Sequence, residues 1–468
     1  MHWKTFMRPW VAFVAPFALG SVLAAAGAPR VNPPMSLRDA VNYALVHSPD
    51  LQSSQAEVRR REGLVTSAHS RLLPQMDVSA DASRTRLEHG YPFGATPSLL
   101  RFDTTLYTGS VDVTFLAWDF HRTELELAAA RERVDAARAG VNRRRQEIVF
   151  GTARLYLQTL AYADLIDAAD ARARSLASLL NRTNQLVTAG RAVPVDALKI
   201  RTLLAQVQSN LATLRSDRRS SLSALAAVMG FDGDLPVLTY TPASPPPPRP
   251  HEPEDEWLRE AVTRRPDLQS QDHEVRAGER SAEAIRKAAW PRIDLRASAI
   301  EYGSNGPVGF SQLIGRLLPA VPSTAPAPDN AAADWLVGVH VSVPLFDGGQ
   351  RRGRIQAAEA QLEEARLARR QLALRIDREV RTALADLDSA ESRVTALRDT
   401  VAESERVLHD ERLKYDAGRS VINFVLEAES ALLTNQSLLS QAERSVTVAE
   451  LALDLSVGRI DIGRLPNP

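Results

Sequence analysis

Pro49-Asp50-Leu51-Gln52-Ser53 returns as Pro266-Asp267-Leu268-Gln269-Ser270, and Glu57-Val58-Arg59 returns as Glu274-Val275-Arg276, both at an offset of 217. Eight of the eleven positions from 49 to 59 are identical between the two stretches. Farther along, Asp119 matches Asp347, Ala189-Gly190-Arg191 matches Ala417-Gly418-Arg419, and Gly230 matches Gly458, all at an offset of 228. The chain is therefore a tandem duplication, gapless on both sides of one eleven-residue insertion. That insertion falls between 298 and 338, where Gly303, Gly306, Pro307, Gly309, Pro319, Pro322, Pro326 and Pro328 read as a surface loop. A unit of more than 200 residues is too long for a solenoid repeat and speaks for duplication of half a subunit.

The first repeat spans 27–235 and the second 257–460. Between them 236–256, with Pro245 to Pro248 at its centre, reads as a stiff extended linker, and 461–468 as a C-terminal tail. Lys4 and Arg8 precede an apolar run from Trp10 to Ala26 that ends in Ala24-Ala25-Ala26, the pattern of a cleaved signal peptide over 1–26. A retained anchor is the competing reading, against which Pro9 and Pro16 interrupt the run. With no cysteine, the chain has no disulfide, no thiol nucleophile and no residue for a lipid anchor. Lys+Arg 57 against Asp+Glu 57 gives zero formal charge, which argues against nucleic acid as a partner.

Proline marks where helices can be long. Between Ser98 and Leu235 the sole proline is Pro194, and between Leu345 and Leu465 there is none. Ile376, Val380, Ala383, Leu387, Ala390, Val394, Leu397 and Val401 follow one another at spacings of four and three. The rhythm resumes after Gly418 with Val425, Ala428, Leu432, Asn435, Leu439, Ala442, Val446, Ala449 and Leu453. A 3.5-residue period is that of a coiled-coil seam, so the segment predicts a long antiparallel helical hairpin turning at Gly418. The first copy repeats the design: a descending arm from about Asp119 to Thr188, a turn at Gly190, and Leu204, Val207, Leu211, Leu214, Ser221 and Leu225 on the ascending arm. Seventy helical residues would reach roughly 105 Å.

Two strands of about ten residues precede each hairpin. Val78, Ala80 and Ala82 alternate with Asp77, Ser79 and Asp81, and Val111, Val113 and Phe115 with Asp112 and Thr114. In the second copy Ile293, Leu295, Ala297 and Ala299 alternate with Asp294, Arg296 and Ser298, and Val337, Val339, Val341 and Val343 with Gly338, His340 and Ser342. One apolar and one polar face suits a transmembrane β-strand. Four strands cannot close a barrel that hides its edges from lipid, whereas three chains would supply about twelve.

The signal peptide, the two copies of Pro-Asp-Leu-Gln with strand pair and helical hairpin, the junction Pro344-Leu345-Phe346-Asp347-Gly348-Gly349-Gln350-Arg351, and Tyr415-Asp416-Ala417-Gly418-Arg419 at the turn together resemble the TolC-like outer-membrane factors, from about Met35 to Arg459. The resemblance implies a mixed α/β membrane protein: a homotrimeric β-barrel in outer-membrane lipid, four strands per chain, continued by a long antiparallel coiled-coil helical barrel across the periplasm. It implies a passive exit duct of a tripartite efflux or type I secretion system, fed by an inner-membrane transporter through a periplasmic adaptor, with no cofactor and no enzyme activity. The competing reading is an exported periplasmic coiled-coil scaffold without a channel.

The resemblance also places Ala189, Gly190 and Arg191 and Ala417, Gly418, Arg419 and Ser420 at the adaptor-contacting tips. Asp196 and Phe424, six residues past the two glycines, and Glu427, nine past the second, then belong to a periplasmic gate together with Arg419. In a threefold channel Phe424 would form an apolar ring and Glu427 a carboxylate ring, whose pairs at about 7 Å and an effective dielectric near 20 repel by roughly 2 kcal/mol. Some relatives carry a basic residue two positions past the second glycine, where this chain has Ser420. Read without the resemblance, Asp196, Arg419 and Glu427 are solvated helix-end charges and Phe424 is a knob in the hairpin seam. Arg143-Arg144-Arg145 reads as a solvated helix face. The glycines at 303, 306 and 309 lack the lysine and helix start of a phosphate loop, and no histidine pair has metal-ligand spacing. Trp118 and Trp335 stand at strand ends, where a membrane girdle and ordinary packing are both open.

Overall fold

The computed structural model describes residues 34–91, 98–190, 193–233, 235–239, 253–304, 331–417 and 419–465. The leader, the proline run at 245–248 and most of the insertion lie outside the described residues. The first copy contains α1 (Leu37–His47), α2 (Pro49–Ser70), β1 (Gln75–Tyr91), β2 (Ser98–Trp118), α3 (Arg122–Thr188) and α4 (Pro194–Met229). The second contains α5 (Glu254–Arg264), α6 (Pro266–Lys287), β3 (Arg292–Ser304), β4 (Ala331–Ser342), α7 (Gln350–Asp416) and α8 (Ile422–Val457). Corresponding helices have equal lengths of 11, 22, 67 and 36 residues. A 67-residue helix is about 100 Å long.

Local chemistry sets the boundaries. Ser36 and Asp39 form a reciprocal capping box at α1, with the Asp39 amide donating to Ser36 Oγ at 3.2 Å. Pro49, Pro194 and Pro266 stand in the first turn of their helices, where an amide would have no partner. Both strand-to-helix junctions pass through two successive left-handed residues. In the second copy these are Gly348 and Gly349, in the first Phe120 and His121 at φ 59° and 65°. Asp119 and Asp347 cap the helices that follow, accepting from the Thr123 amide at 2.9 Å and the Arg351 amide at 3.1 Å. Ring contacts hold the non-glycine junction: Trp118 lies 4.7 Å from His121, and Phe120 lies 4.9 Å from Trp290.

The four strands form one antiparallel sheet in the order β1-β2-β3-β4, so β2 against β3 joins the two copies. Its register aligns Met76, Val113, Ala297 and Val337 across the sheet, then Val78, Val111, Ala299 and Trp335, on one apolar face. Trp335 is 81 % and Val337 72 % exposed, so nothing among the described residues covers that face. The opposite face is polar, with Ser79 and Ser110 hydroxyls 2.8 Å apart and Arg292 paired to the buried Asp294 at 2.9 Å. At 17, 21, 13 and 12 residues the strands exceed the expected ten. The apolar alternation marks only the part of a strand that meets hydrocarbon, and the ladder continues past it.

Each copy has a core where its short helices meet its rods. In the first, Met35, Val41, Ala44, Ile148, Tyr156, Leu225 and Met229 are buried together. The Tyr156 hydroxyl donates to the Met35 carbonyl at 2.8 Å, and desolvation pushes its pKa up to about 12. In the second, Trp257, Leu268, Ile376, Val380, Leu453 and Val457 pack around a buried guanidinium. Arg265 donates to Asp267 at 2.6 Å, to Glu379 at 2.5 Å and to the Ser456 carbonyl at 3.1 Å.

Three sequence expectations need correction. Glu254 to Glu256 belong to α5, and Val237 and Thr239 pair with Met35, so the span 236–256 is linker only in part. The supposed tail folds into a short 3-10 turn over Ile462–Arg464 whose neighbour Leu465 is buried in the first core. Arg143 is not solvated: it donates to the Leu455 carbonyl at 3.1 Å and pairs with Glu147, capping the C-terminal carbonyls of α8. Adjacent charges on a helix point in different directions, so a run of arginines does not share one environment.

Gly230 and Gly458 end α4 and α8 in the left-handed region, each against the bend between the two short helices of its copy. A Cβ on Gly230 would lie 2.5 Å from the His47 carbonyl oxygen, whereas at Gly190, also left-handed, it would meet nothing within 4 Å. Gly190→Ala is expected to cost about 1 kcal/mol from backbone strain alone, and Gly230→Ala about 2 kcal/mol more. Thermal unfolding of the two variants checks the order. Arg265→Met, which strands Asp267 and Glu379, is expected to destabilise by about 3 kcal/mol in the same assay.

Candidate functional site

The two hairpin turns lie at the far end of the rods from the sheet. At the first, the Ala189 amide donates to Gln185 O at 3.0 Å, Gly190 turns the chain at φ 69°, and Pro194 starts α4. At the second, the Arg419 amide donates to Lys414 O at 2.8 Å. Glu411 accepts from Lys414 at 2.7 Å and from the Ser420 hydroxyl at 3.0 Å, and these hydrogen bonds hold its carboxyl below the usual range. Arg191 and Gly418 lie outside the described residues. Ala189 and Ala417 close their helices in the same way, as the repeat predicts.

The gate candidates are spread along the first turns of α4 and α8. Asp196 is half-buried in the first turn of α4, beside the buried Ala197 that packs into the first hairpin. Phe424 is 54 % exposed, and the seam of the second hairpin is built instead by Leu408, Val425 and Ala428 with Tyr415, Ile422 and Leu432. This excludes the reading of Phe424 as a seam knob. No ion pair joins Arg419 to Asp196 among the described residues of the protomer.

Glu427 sits at a groove of 530 Å³ between the two hairpins, lined also by Arg172, Ser175, Lys199, Asn423 and Glu429. Arg172 donates to Ser430 Oγ at 2.6 Å and the Ser175 hydroxyl to Glu429 at 2.9 Å. Farther along the rods Asp164 receives Arg444, with which it forms an ion pair, and the Ser440 hydroxyl at 3.0 Å. Sequence reasoning missed this polar strapping of α3 to α8. The residues are more than 250 positions apart, and neither copy repeats the other's partners, so periodicity carries no trace of it. Seam positions were legible: Val207, Leu211, Leu225, Ile376, Val380, Val394 and Ala442 are all buried.

Among the described residues no cluster of His, Asp and Glu could hold a metal ion, and no helix is long and apolar enough to cross a membrane. The sheet presents an exposed apolar face at one end of the two rods.

Comparison with known proteins agrees with this geometry. The chain is 28% identical over 437 residues to the outer membrane efflux protein BepC of Brucella suis, covering 92% of this chain and 87% of that one. It is 25% identical over 434 residues to the pyoverdine export outer membrane protein OpmQ of Pseudomonas putida, covering 89% and 84%. Its fold superposes on the Campylobacter jejuni CmeC outer membrane channel with a TM-score of 0.75 at 15% identity, covering 92% of this chain and 88% of that one. The family profile described as outer membrane efflux protein matches residues 40–231 and 257–459, one segment in each repeat, and the chain belongs to that family.

Proposed function

We propose that three copies of this chain form a passive exit duct through the outer membrane and periplasm, taking substrate from an inner-membrane transporter through a periplasmic adaptor. The observation that carries this reading is the sheet: one apolar face, one polar face, and two strand edges without partners among the described residues, at the end of rods about 100 Å long. A chain with exposed edges cannot enter hydrocarbon alone, because each unpaired amide there costs several kcal/mol. The family is one of outer-membrane efflux channels rather than enzymes; in this reading the energy for transport comes from the partner in the inner membrane. Export of the protein rests on the 1–26 leader, and the absence of cysteine argues that no lipid is attached. The relative named for pyoverdine export favours small molecules over polypeptides as cargo.

In this reading the tips at 189–191 and 417–420 receive the adaptor. Asp196, Arg419, Phe424 and Glu427 form the constriction, with Phe424 exposed toward the threefold axis and the interhairpin straps holding α8 against α3. Purified protein in a planar lipid bilayer is expected to conduct ions, and failure to form any pore would refute the duct. Phe424→Ala with Glu427→Gln is expected to raise single-channel conductance several-fold, and unchanged conductance would move the constriction elsewhere. Asp164→Ala removes an acceptor shared by Arg444 and Ser440. It is expected to speed amide hydrogen exchange in 160–176 and 426–444, as read by mass spectrometry, while leaving the sheet protected.

A further inference from the structure

Along the rods, charges meet opposite charges. Asp164 pairs with Arg444 between the hairpins, Asp170 with Arg215 inside the first, and Arg398 with Glu443 inside the second. The groove of 530 Å³ between α3, α4 and α8 departs from that pattern. Two cations, Arg172 and Lys199, and two carboxylates, Glu427 and Glu429, line it, and none of the four forms an ion pair among the described residues. Arg172 donates instead to the Ser430 hydroxyl at 2.6 Å, and Glu429 accepts from the Ser175 hydroxyl at 2.9 Å. Lys199 and Glu427 make no side-chain hydrogen bond among the described residues. A hydroxyl partner satisfies hydrogen-bond geometry but leaves the charge uncompensated.

Beneath these charges the wall is apolar. Leu176 is 5 % exposed and belongs to the core of the first hairpin, and Leu203 and Leu426 pack against the same cluster, Leu426 reaching it from α8. Leu433 lines both this groove and a neighbouring cavity of 130 Å³ beside Asp164. Leu426 and Leu433 are seven residues apart on α8, so they share one helix face about 10 Å along. A leucine wall with a few convergent polar groups, in a volume of this size, is the make-up of a site for a drug-sized molecule.

The charge pattern selects the guest. An amphipathic cation would be attracted by Glu427 and Glu429 but repelled by Arg172 and Lys199, and an amphipathic anion would meet the reverse. A molecule carrying both signs satisfies all four, and the water it displaces makes each contact stronger.

We infer that this groove binds a small amphipathic zwitterion, with its ammonium against Glu427 and Glu429, its acidic group against Arg172 and Lys199, and its apolar chain over Leu176, Leu203, Leu426 and Leu433. The inference goes beyond the duct proposed above. Binding requires no pore, so its failure leaves that reading standing, and a chain that forms no pore can still bind.

Three probes with the same octyl chain test it: a sulfobetaine carrying a quaternary ammonium and a sulfonate, octyltrimethylammonium, and octanesulfonate. Titration calorimetry of the full chain in lipid nanodiscs, corrected with empty discs, is expected to show the sulfobetaine binding roughly tenfold more tightly than either singly charged probe. Its binding is expected to slow amide hydrogen exchange in 199–203 and 423–433 while leaving the sheet unchanged. Lys199 is exposed, so reversing its charge spares the core. Lys199→Glu is expected to weaken the sulfobetaine about fivefold and to strengthen octyltrimethylammonium by a similar factor. Glu427→Lys is expected to shift the preference the other way, toward octanesulfonate, and stands in should the first variant fail to fold. Equal affinities for the three probes overturn the zwitterion site and leave the groove to a helix of a partner chain. A preference that ignores the charge reversals, or binding that leaves exchange in both segments unchanged, overturns it as well.

Discussion

Backbone amides at a sheet edge have to find acceptors, and in hydrocarbon water cannot supply them. Everything else in this molecule is arranged around that constraint. Four strands give two edges, and the apolar face between them forbids leaving the sheet in water, where Trp335, Val337 and Val339 would stay exposed. The way to satisfy both is to repeat the sheet around a closed ring.

The rods answer a different demand. Helices of 67 residues satisfy their own backbone, so they can stand in water without a globular core around them. What keeps them paired is a narrow seam of small and aliphatic residues, tightened at intervals by polar contacts such as Asn435 to Ser404 at 2.8 Å and Thr159 to Ser221 at 2.8 Å. Besides the smaller apolar clusters along the hairpin seams, hydrophobic cores lie where the short helices brace the rods, and there each copy solves the same packing problem differently. The first uses Tyr156 to hold the chain at Met35 and Thr239; the second buries Arg265 among two carboxylates and a helix C-terminus.

Much of this was legible in the residues because periodicity records burial. The 3.5-residue rhythm from Ile376 to Leu453 and the alternation from Ile293 to Ala299 each named the buried or lipid-facing positions. The duplication named the turn at Gly190 and the helix ends at Gly230 and Gly458. What escaped was whatever depends on partners distant in sequence. Arg143 looked solvated until it was seen capping α8, Leu465 looked like tail until it was seen in the core, and the Asp164–Arg444 strap has no motif at all. The strands ran past their apolar stretch because hydrogen bonding is indifferent to side-chain polarity.

The central claim is closure of the sheet by identical copies, and electron cryomicroscopy of the protein extracted from membranes into lipid nanodiscs tests it most directly. The account predicts a threefold particle with one twelve-stranded barrel in the disc and a helical tube projecting from it by about 100 Å. A solitary chain with its four strands outside the lipid, or a ring whose subunits touch only through helices, would contradict it.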